Sequence, residues 1–155
     1  MSETFESVSK WISVVDRHTQ MYVSRRLRHY GVGAGQISFL MRLYKEDGVS
    51  QDSLAKELVV DKATVTRAVQ SLEEAGLITR RPCTEDRRKN LVFLTEQAHT
   101  AREEIEQAMR AWTMVLTKGV EEEERQQLVH LLKHASANAI KELGVKDCDT
   151  KPCAD

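Results

Sequence analysis

The stretch from Ser50 to Leu94 constrains the fold more than any other part of the chain. Ser50 is placed to cap a short helix, Gln51 to Leu58, and Val59-Val60 leaves room only for a tight connection. Asp61 then caps a second helix from Lys62 to about Ala75, and Gly76 stands where a left-handed residue would end it. Next comes a strand-like run, Leu77 to Arg81, then a polar tip from Pro82 to Lys89 and a return strand, Asn90 to Leu94. Two helices followed by a hairpin predict a winged helix-turn-helix, an arrangement whose usual work is reading duplex DNA.

Side-chain chemistry agrees with that geometry. On the second helix Val65, Ala68, Val69 and Leu72 share one face, leaving Lys62, Ala63, Thr64, Thr66, Arg67, Gln70 and Ser71 outward or at the exposed N-terminal end, the end that enters a major groove. Small and amide side chains there can approach base edges, and Arg67 can reach guanine or a phosphate. With Ser50 and Gln51 they make the candidate reading surface. The same residues would also make an ordinary solvated helix face, and the hairpin tip decides between the two. Arg87, Arg88 and Lys89 lie on a turn that a protein core has no use for, and Asp86 beside them can orient a guanidinium. Lys62 to Lys89 carries seven basic and four acidic residues, net +3. Glu96 to Leu143 carries six and nine, net −3. A basic reader is thus joined to an acidic helical body.

These residues resemble the MarR (multiple antibiotic resistance regulator) family of bacterial transcription factors. The likeness is carried by Val49-Ser50-Gln51-Asp52-Ser53-Leu54-Ala55, Asp61 to Arg67, Leu72 to Arg80, Asp86-Arg87-Arg88 and Leu94-Thr95-Glu96. Helices of the right length flank the reader, so the resemblance spans nearly the whole chain. It implies that Arg88 enters the minor groove and that Asp86 steadies it. It also implies a small, often aromatic or phenolic effector between dimerisation helices and reader, for which Trp11, His18, Tyr22, Arg25, Met41 and Trp112 are candidate lining residues, core packing being the alternative for the apolar ones. Two positions depart from the family's habit: Ala98 where glycine is frequent, and Glu121 where serine or threonine often caps the last helix.

A chain of 155 residues, 41% hydrophobic, is long enough for one domain with a real core. No apolar run reaches the ~18 to 20 residues of a membrane span, and Met1 to Lys10 lacks a signal pattern, which points to a cytoplasmic, membrane-free protein. Three cysteines, Cys83, Cys148 and Cys153, argue against a disulfide framework. Cys148 and Cys153 read as idle. Cys83 at the wing's base, among Arg80, Arg81 and Arg87, reads as an inert thiol, with a redox switch as the alternative.

In chain order, a first helix is expected from about Thr4 to Tyr30, with Val8, Trp11, Ile12, Val15, Thr19, Tyr22 and Arg26 forming a buried stripe. Arg25, Arg26, Arg28 and His29 cluster near its end. Residues 31–35, with three glycines but neither the spacing nor the preceding strand of a nucleotide loop, read as a flexible connection. A helix from Gln36 to Glu46 follows, with Ile37, Leu40, Met41 and Tyr44 inward, and Asp47-Gly48 turns the chain into the reader. Beyond the wing, Thr95 caps a helix to about Lys118 whose Ala98, Ala101, Ile105, Ala108, Trp112 and Val115 make a seam. After Gly119 a last helix, about Glu122 to Leu143, carries Leu128, Leu131, Leu132, Ala135, Ala139 and Leu143. Val145 to Asp155 reads as a frayed tail. The expected organisation is one domain, mainly α with a small β-wing: dimerisation helices at 1–30 and 119–145, the reader at 36–94, a long linking helix at 95–118 and a tail at 146–155. The terminal helices carry more apolar surface than a reader of this size can cover. A two-fold dimer would bury it and set two reading helices ~34 Å apart, one DNA turn.

No nucleophile, base and orienter, nor a carboxylate pair, is evident, so no enzyme and no cofactor is indicated. His130 and His134, at i and i+4, lack further ligands for a metal, and of the other histidines only His99 lies on the helix after the wing. A helical interaction module without DNA binding would explain the seam but not the wing's arginines. The expected function is a homodimeric repressor on a palindromic operator, released by a small molecule.

Overall fold

Three of the helices begin where a short polar side chain can accept an orphan backbone N–H. Ser50 Oγ accepts from Ser53 N at 3.1 Å, Asp61 Oδ1 from Thr64 N at 2.6 Å and Thr95 Oγ1 from Ala98 N at 3.2 Å. The computed structural model describes residues 7–144. It contains α1 (Val8–Arg26), α2 (Ala34–Leu43), β1 (Val49–Ser50), α3 (Gln51–Leu58), α4 (Lys62–Glu74), β2 (Ile78–Pro82), β3 (Asn90–Leu94), α5 (Glu96–Leu116) and α6 (Glu122–Leu143). The expected start of the first helix at Thr4 and the tail with Cys148 and Cys153 lie outside the described residues.

The sheet is antiparallel in the order β1, β3, β2. Ile78 pairs with Leu94, Arg80 with Val92 and Pro82 with Asn90, while Val49 and Ser50 add a third strand opposite Val92 and Leu91. Two residues give no periodic signal, so β1 was not foreseen. Pro82 is tolerated because β2 is an edge strand. Two turns need glycine. Gly48 (φ 71°) brings the chain against Phe93, whose Cε1 would lie 2.9 Å from an added Cβ, and Gly76 (φ 74°) closes α4 before β2. Val59, at φ 55°, takes the same left-handed conformation at the end of α3 without that freedom, a strained position for a β-branched residue.

The core lies between α2, α4, the sheet and the first half of α5. Phe39, Leu40, Leu43, Leu54, Val65, Val69, Leu72, Leu77, Ile78, Val92 and Ile105 are buried there. Tyr44 crosses it, donating its hydroxyl to Ala98 O at 2.8 Å, and burial pushes its phenol up to about 12. Asp47 Oδ2 accepts from Leu94 N at 2.8 Å, and Arg42 grips Glu57 through Nε and Nη2, tying α2 to α3. Ala98 is buried, so the position where the family often has glycine is filled by a methyl group. At the start of α6, where the family often has serine or threonine, Glu124 Oε2 accepts from Glu121 N at 3.0 Å, the glutamate half of a capping box.

Several boundaries and faces differ from the expectation. α1 stops at Arg26, and Arg28–Tyr30 forms a 3-10 turn, because Leu27 turns into the core and the Tyr30 hydroxyl donates to Glu104 at 2.7 Å. α2 starts at Ala34, with Gln36 Oε1 accepting from Gly33 N at 2.9 Å, so part of the supposed flexible connection is helix. It ends at Leu43 and not at Glu46, where Arg42 donates to Glu46 O. The largest difference is on α1: Val8, Trp11, Ile12 and Val15 are exposed, and the residues that enter this chain's core are Val23 and Leu27. The seam of α5 holds from Ala98 to Ala108, loosens at Trp112 and is open at Val115. No residue of α6 is buried. The N-terminal part of α1, the end of α5 and α6 extend past the core that the chain supplies for itself.

Candidate nucleic-acid interface

The inward face of α4 is Val65, Ala68, Val69 and Leu72, all buried, as its periodicity requires. That fixes the opposite face by geometry. Lys62, Ala63, Thr66, Arg67 and Gln70 are exposed and Thr64 is half-buried. Without DNA these polar groups satisfy one another along the helix. Thr66 Oγ1 donates to Lys62 O at 2.9 Å, Arg67 Nη2 to Thr64 Oγ1 at 3.2 Å and Gln70 Nε2 to Glu74 Oε1 at 3.0 Å. Such exposed contacts contribute well under ~1 kcal/mol each and exchange readily for base edges.

The wing tip is ordered by its own backbone. Cys83 N donates to Lys89 O at 2.8 Å and Lys89 N to Asp86 O at 2.9 Å. Asp86 Oδ1 accepts from Arg88 N at 3.1 Å and from Arg88 Nε at 3.4 Å. The backbone N–H of Arg88 is the main cause that holds the Asp86 carboxyl below the usual range, so the anion stays in place beneath the guanidinium. The Arg88 side chain is 93% exposed. A cation in that position has nothing to do for the fold and is free to contact a partner. Arg87 is exposed beside it and Lys89 half-buried.

Between α3, α4 and the wing runs a cleft of about 340 Å³. It gathers Ser50, Gln51, Lys62, Thr66, Arg88 and Lys89 of the expected surface, while Ala63, Thr64, Arg67, Gln70, Asp86 and Arg87 lie outside it. It also holds Asp52, Arg80 and Asn90, which sequence reading did not single out. Strand alternation could have found the last two. Ile78, Arg80 and Pro82 share a face of β2, and their partners Leu94, Val92 and Asn90 share the matching face of β3. Since Ile78 and Val92 are buried, Arg80 and Asn90 stand on the core-side face where the sheet leaves the core. Arg81, on the other face, lies over the Phe93 ring at 4.7 Å.

Cys83, at the wing's base, is buried, 1% exposed.

A second concavity, about 350 Å³, lies where α1 crosses α5, lined by His18, Met21, Tyr22, Arg25, Arg26 and Trp112. Tyr22 and Trp112 stack at 4.6 Å and 17°. Tyr22 donates to Ala108 O at 3.0 Å and Trp112 Nε1 to Thr19 Oγ1 at 2.9 Å. Four of the six expected lining residues meet here. Trp11 does not, being three helical turns from Tyr22, and Met41 does not, because it packs against the core from α2. Met21 and Arg26 were missed. Among the described residues no three histidine, cysteine or acidic side chains stand together as a metal site, and no helix is long and apolar enough to cross a membrane.

Comparison with known proteins joins these features. Residues 34–89 match the model of the MarR family. The chain is 32% identical over 108 residues to YdgJ of Bacillus subtilis, an uncharacterised HTH-type transcriptional regulator. That match covers 70% of this chain and 66%, just under two thirds, of the relative. A MarR transcriptional regulator from Methanosarcina mazei Go1 shares 35% identity at a TM-score of 0.76, covering 86% of this chain and 96% of that one. A Listeria monocytogenes structure described as a MarR family transcriptional regulator complexed with 26mer DNA shares 25% identity at a TM-score of 0.81, covering 95% and 99%. A winged reader with a cationic tip, set on long flanking helices and matched in sequence and in shape, has one consistent reading: the chain belongs to the MarR family of DNA-binding transcriptional regulators.

Proposed function

We propose that this regulator is a homodimeric repressor that binds a palindromic operator and leaves it when a small aromatic or phenolic molecule occupies the crevice between α1 and α5. The observation that carries the reading is the wing tip: an almost fully exposed Arg88, oriented by Asp86, beside a reading helix whose outward face is polar. Thr64, Thr66, Arg67 and Gln70 contact base edges, and Arg88 enters the minor groove. Dimerisation is supported by the apolar side chains that the chain leaves uncovered on α1, the end of α5 and α6. The stacked Tyr22 and Trp112, with Arg25 and Arg26 at the rim, suit an aromatic acid or phenol. A bound ring there would bias how α1 and α5 carry the two readers.

The test is fluorescence anisotropy on the DNA upstream of the protein's own gene, with Arg88→Ala beside the parent. The variant is expected to lose ~1 to 3 kcal/mol of operator affinity with an unchanged melting temperature. Equal affinity would remove the wing from the mechanism. Footprinting the same region gives symmetry and half-site spacing together.

A further inference from the structure

We infer that Arg80 is a DNA phosphate ligand held in reserve by Glu73, so that the carboxylate and a backbone phosphate compete for one guanidinium at the foot of the wing. This rests on the reading of the cleft as part of the DNA interface. The cleft contains four cations, Lys62, Arg80, Arg88 and Lys89, against one acid, Asp52. Three of those cations are engaged by carboxylates of the chain: Lys62 Nζ lies 3.3 Å from Asp52 Oδ1, Arg88 Nε 3.4 Å from Asp86 Oδ1, and Arg80 Nη2 and Nε 2.5 and 3.1 Å from Glu73 Oε2, the closest of the three contacts.

Both Arg80 contacts converge on a single oxygen and use two of the five guanidinium N–H groups, which leaves donors for a second oxyanion. Arg80 is also the more enclosed cation, its side chain 33% exposed against 93% for Arg88 and held by two hydrogen bonds, so less conformational freedom is lost when it meets a ligand. The excess of cations, the polar walls and the position between reading helix and wing fit a phosphodiester and not a carboxylate of the same chain, which already has its place on the far side of the guanidinium. On binding, Arg80 turns its open donors to a phosphate while Glu73 is left closer to the DNA than an anion prefers. Glu73 therefore tempers affinity, and Arg80 sets part of its salt dependence.

The experiment uses the full-length protein, a mixed-sequence duplex and a salt titration by anisotropy, with Glu73→Gln, Arg80→Ala, the double variant and the melting temperature of each. Glu73→Gln is expected to bind about fivefold tighter at low salt, the worth of one exposed ion pair. Its plot of log affinity against log salt should steepen by ~0.9 for each protomer engaged. Arg80→Ala should bind more weakly with a shallower plot, and Glu73→Gln should tighten binding much less in the Arg80→Ala background, where only its direct repulsion of the DNA is removed. If the pair merely joins α4 to β2, both single variants weaken binding together with the melting temperature, and the inference is overturned. Parallel salt plots in all four proteins overturn it as well. If the parent protein itself ignores the duplex at low salt, the DNA-binding reading of the cleft fails first, and the inference with it.

Discussion

The reader and the long helices around it solve opposite problems with similar residues. In α3, α4 and the wing, apolar side chains turn inward onto a shared core and the surface is polar and basic. In the N-terminal part of α1, the last turns of α5 and all of α6, leucine, valine and tryptophan side chains stay exposed. Trp11 is 50% exposed, Leu131 55% and Val115 60%, and several neighbours are comparable. Single exposed hydrophobics are ordinary, but rows of them on three helices are not. The reader closes its core within one chain, whereas the body leaves apolar side chains uncovered, which the proposed dimer would bury. A DNA-binding unit that owns its core can be moved by its attachments without losing its shape, which is what an effector bound between α1 and α5 would require.

The sharpest way to break this contrast is inside the reader. Leu72→Ala empties a fully buried site and is expected to cost about 2 to 5 kcal/mol in denaturant unfolding. A loss under ~1 kcal/mol would mean that the core around α4 is less closed than described. The body should respond differently. Leu132→Asp, on an exposed position of α6, is expected to convert dimers to monomers in sedimentation at micromolar concentration, with the far-ultraviolet circular dichroism of the reader retained. Loss of helix throughout would show that the two regions fold as one unit. At the reading face, Arg67→Ala removes an exposed guanidinium that donates to Thr64 Oγ1, and it should cost ~1 to 3 kcal/mol on the operator while changing mixed-sequence binding far less.

The smallest effect concerns acid. Arg42 lowers the Glu57 carboxyl, chiefly through its hydrogen bonds, so the folded value lies below the unfolded one. The stabilisation is therefore present above the ordinary glutamate value of ~4.3 and is lost as pH falls through the depressed folded value. With the carboxylate 42% exposed, screening keeps this to at most ~1 kcal/mol. Glu57→Gln should flatten that part of the acid unfolding curve, and an unchanged curve would show that the pair contributes nothing measurable.

The order of elements, their caps and the inward face of α4 were legible in the residues, because Ser50, Asp61, Thr95 and Gly76 act through neighbours a few positions away. The wing's arginines were legible for a similar reason: a run of charge between two strands has few uses. Other features depend on what is brought together from afar. α1 has apolar residues in two phases, and spacing alone does not say that Val23 and Leu27 meet this chain's core while Trp11 and Val15 do not. Arg80 is one arginine among several until β3 pairs with β2 and α4 brings Glu73 to it. The third strand exists only because Val92 finds Val49, forty-odd residues away. Local hydrogen-bonding and periodicity set the elements. Which faces close on themselves, which stay open and which charges neutralise one another were decided only by the packing that places distant segments side by side.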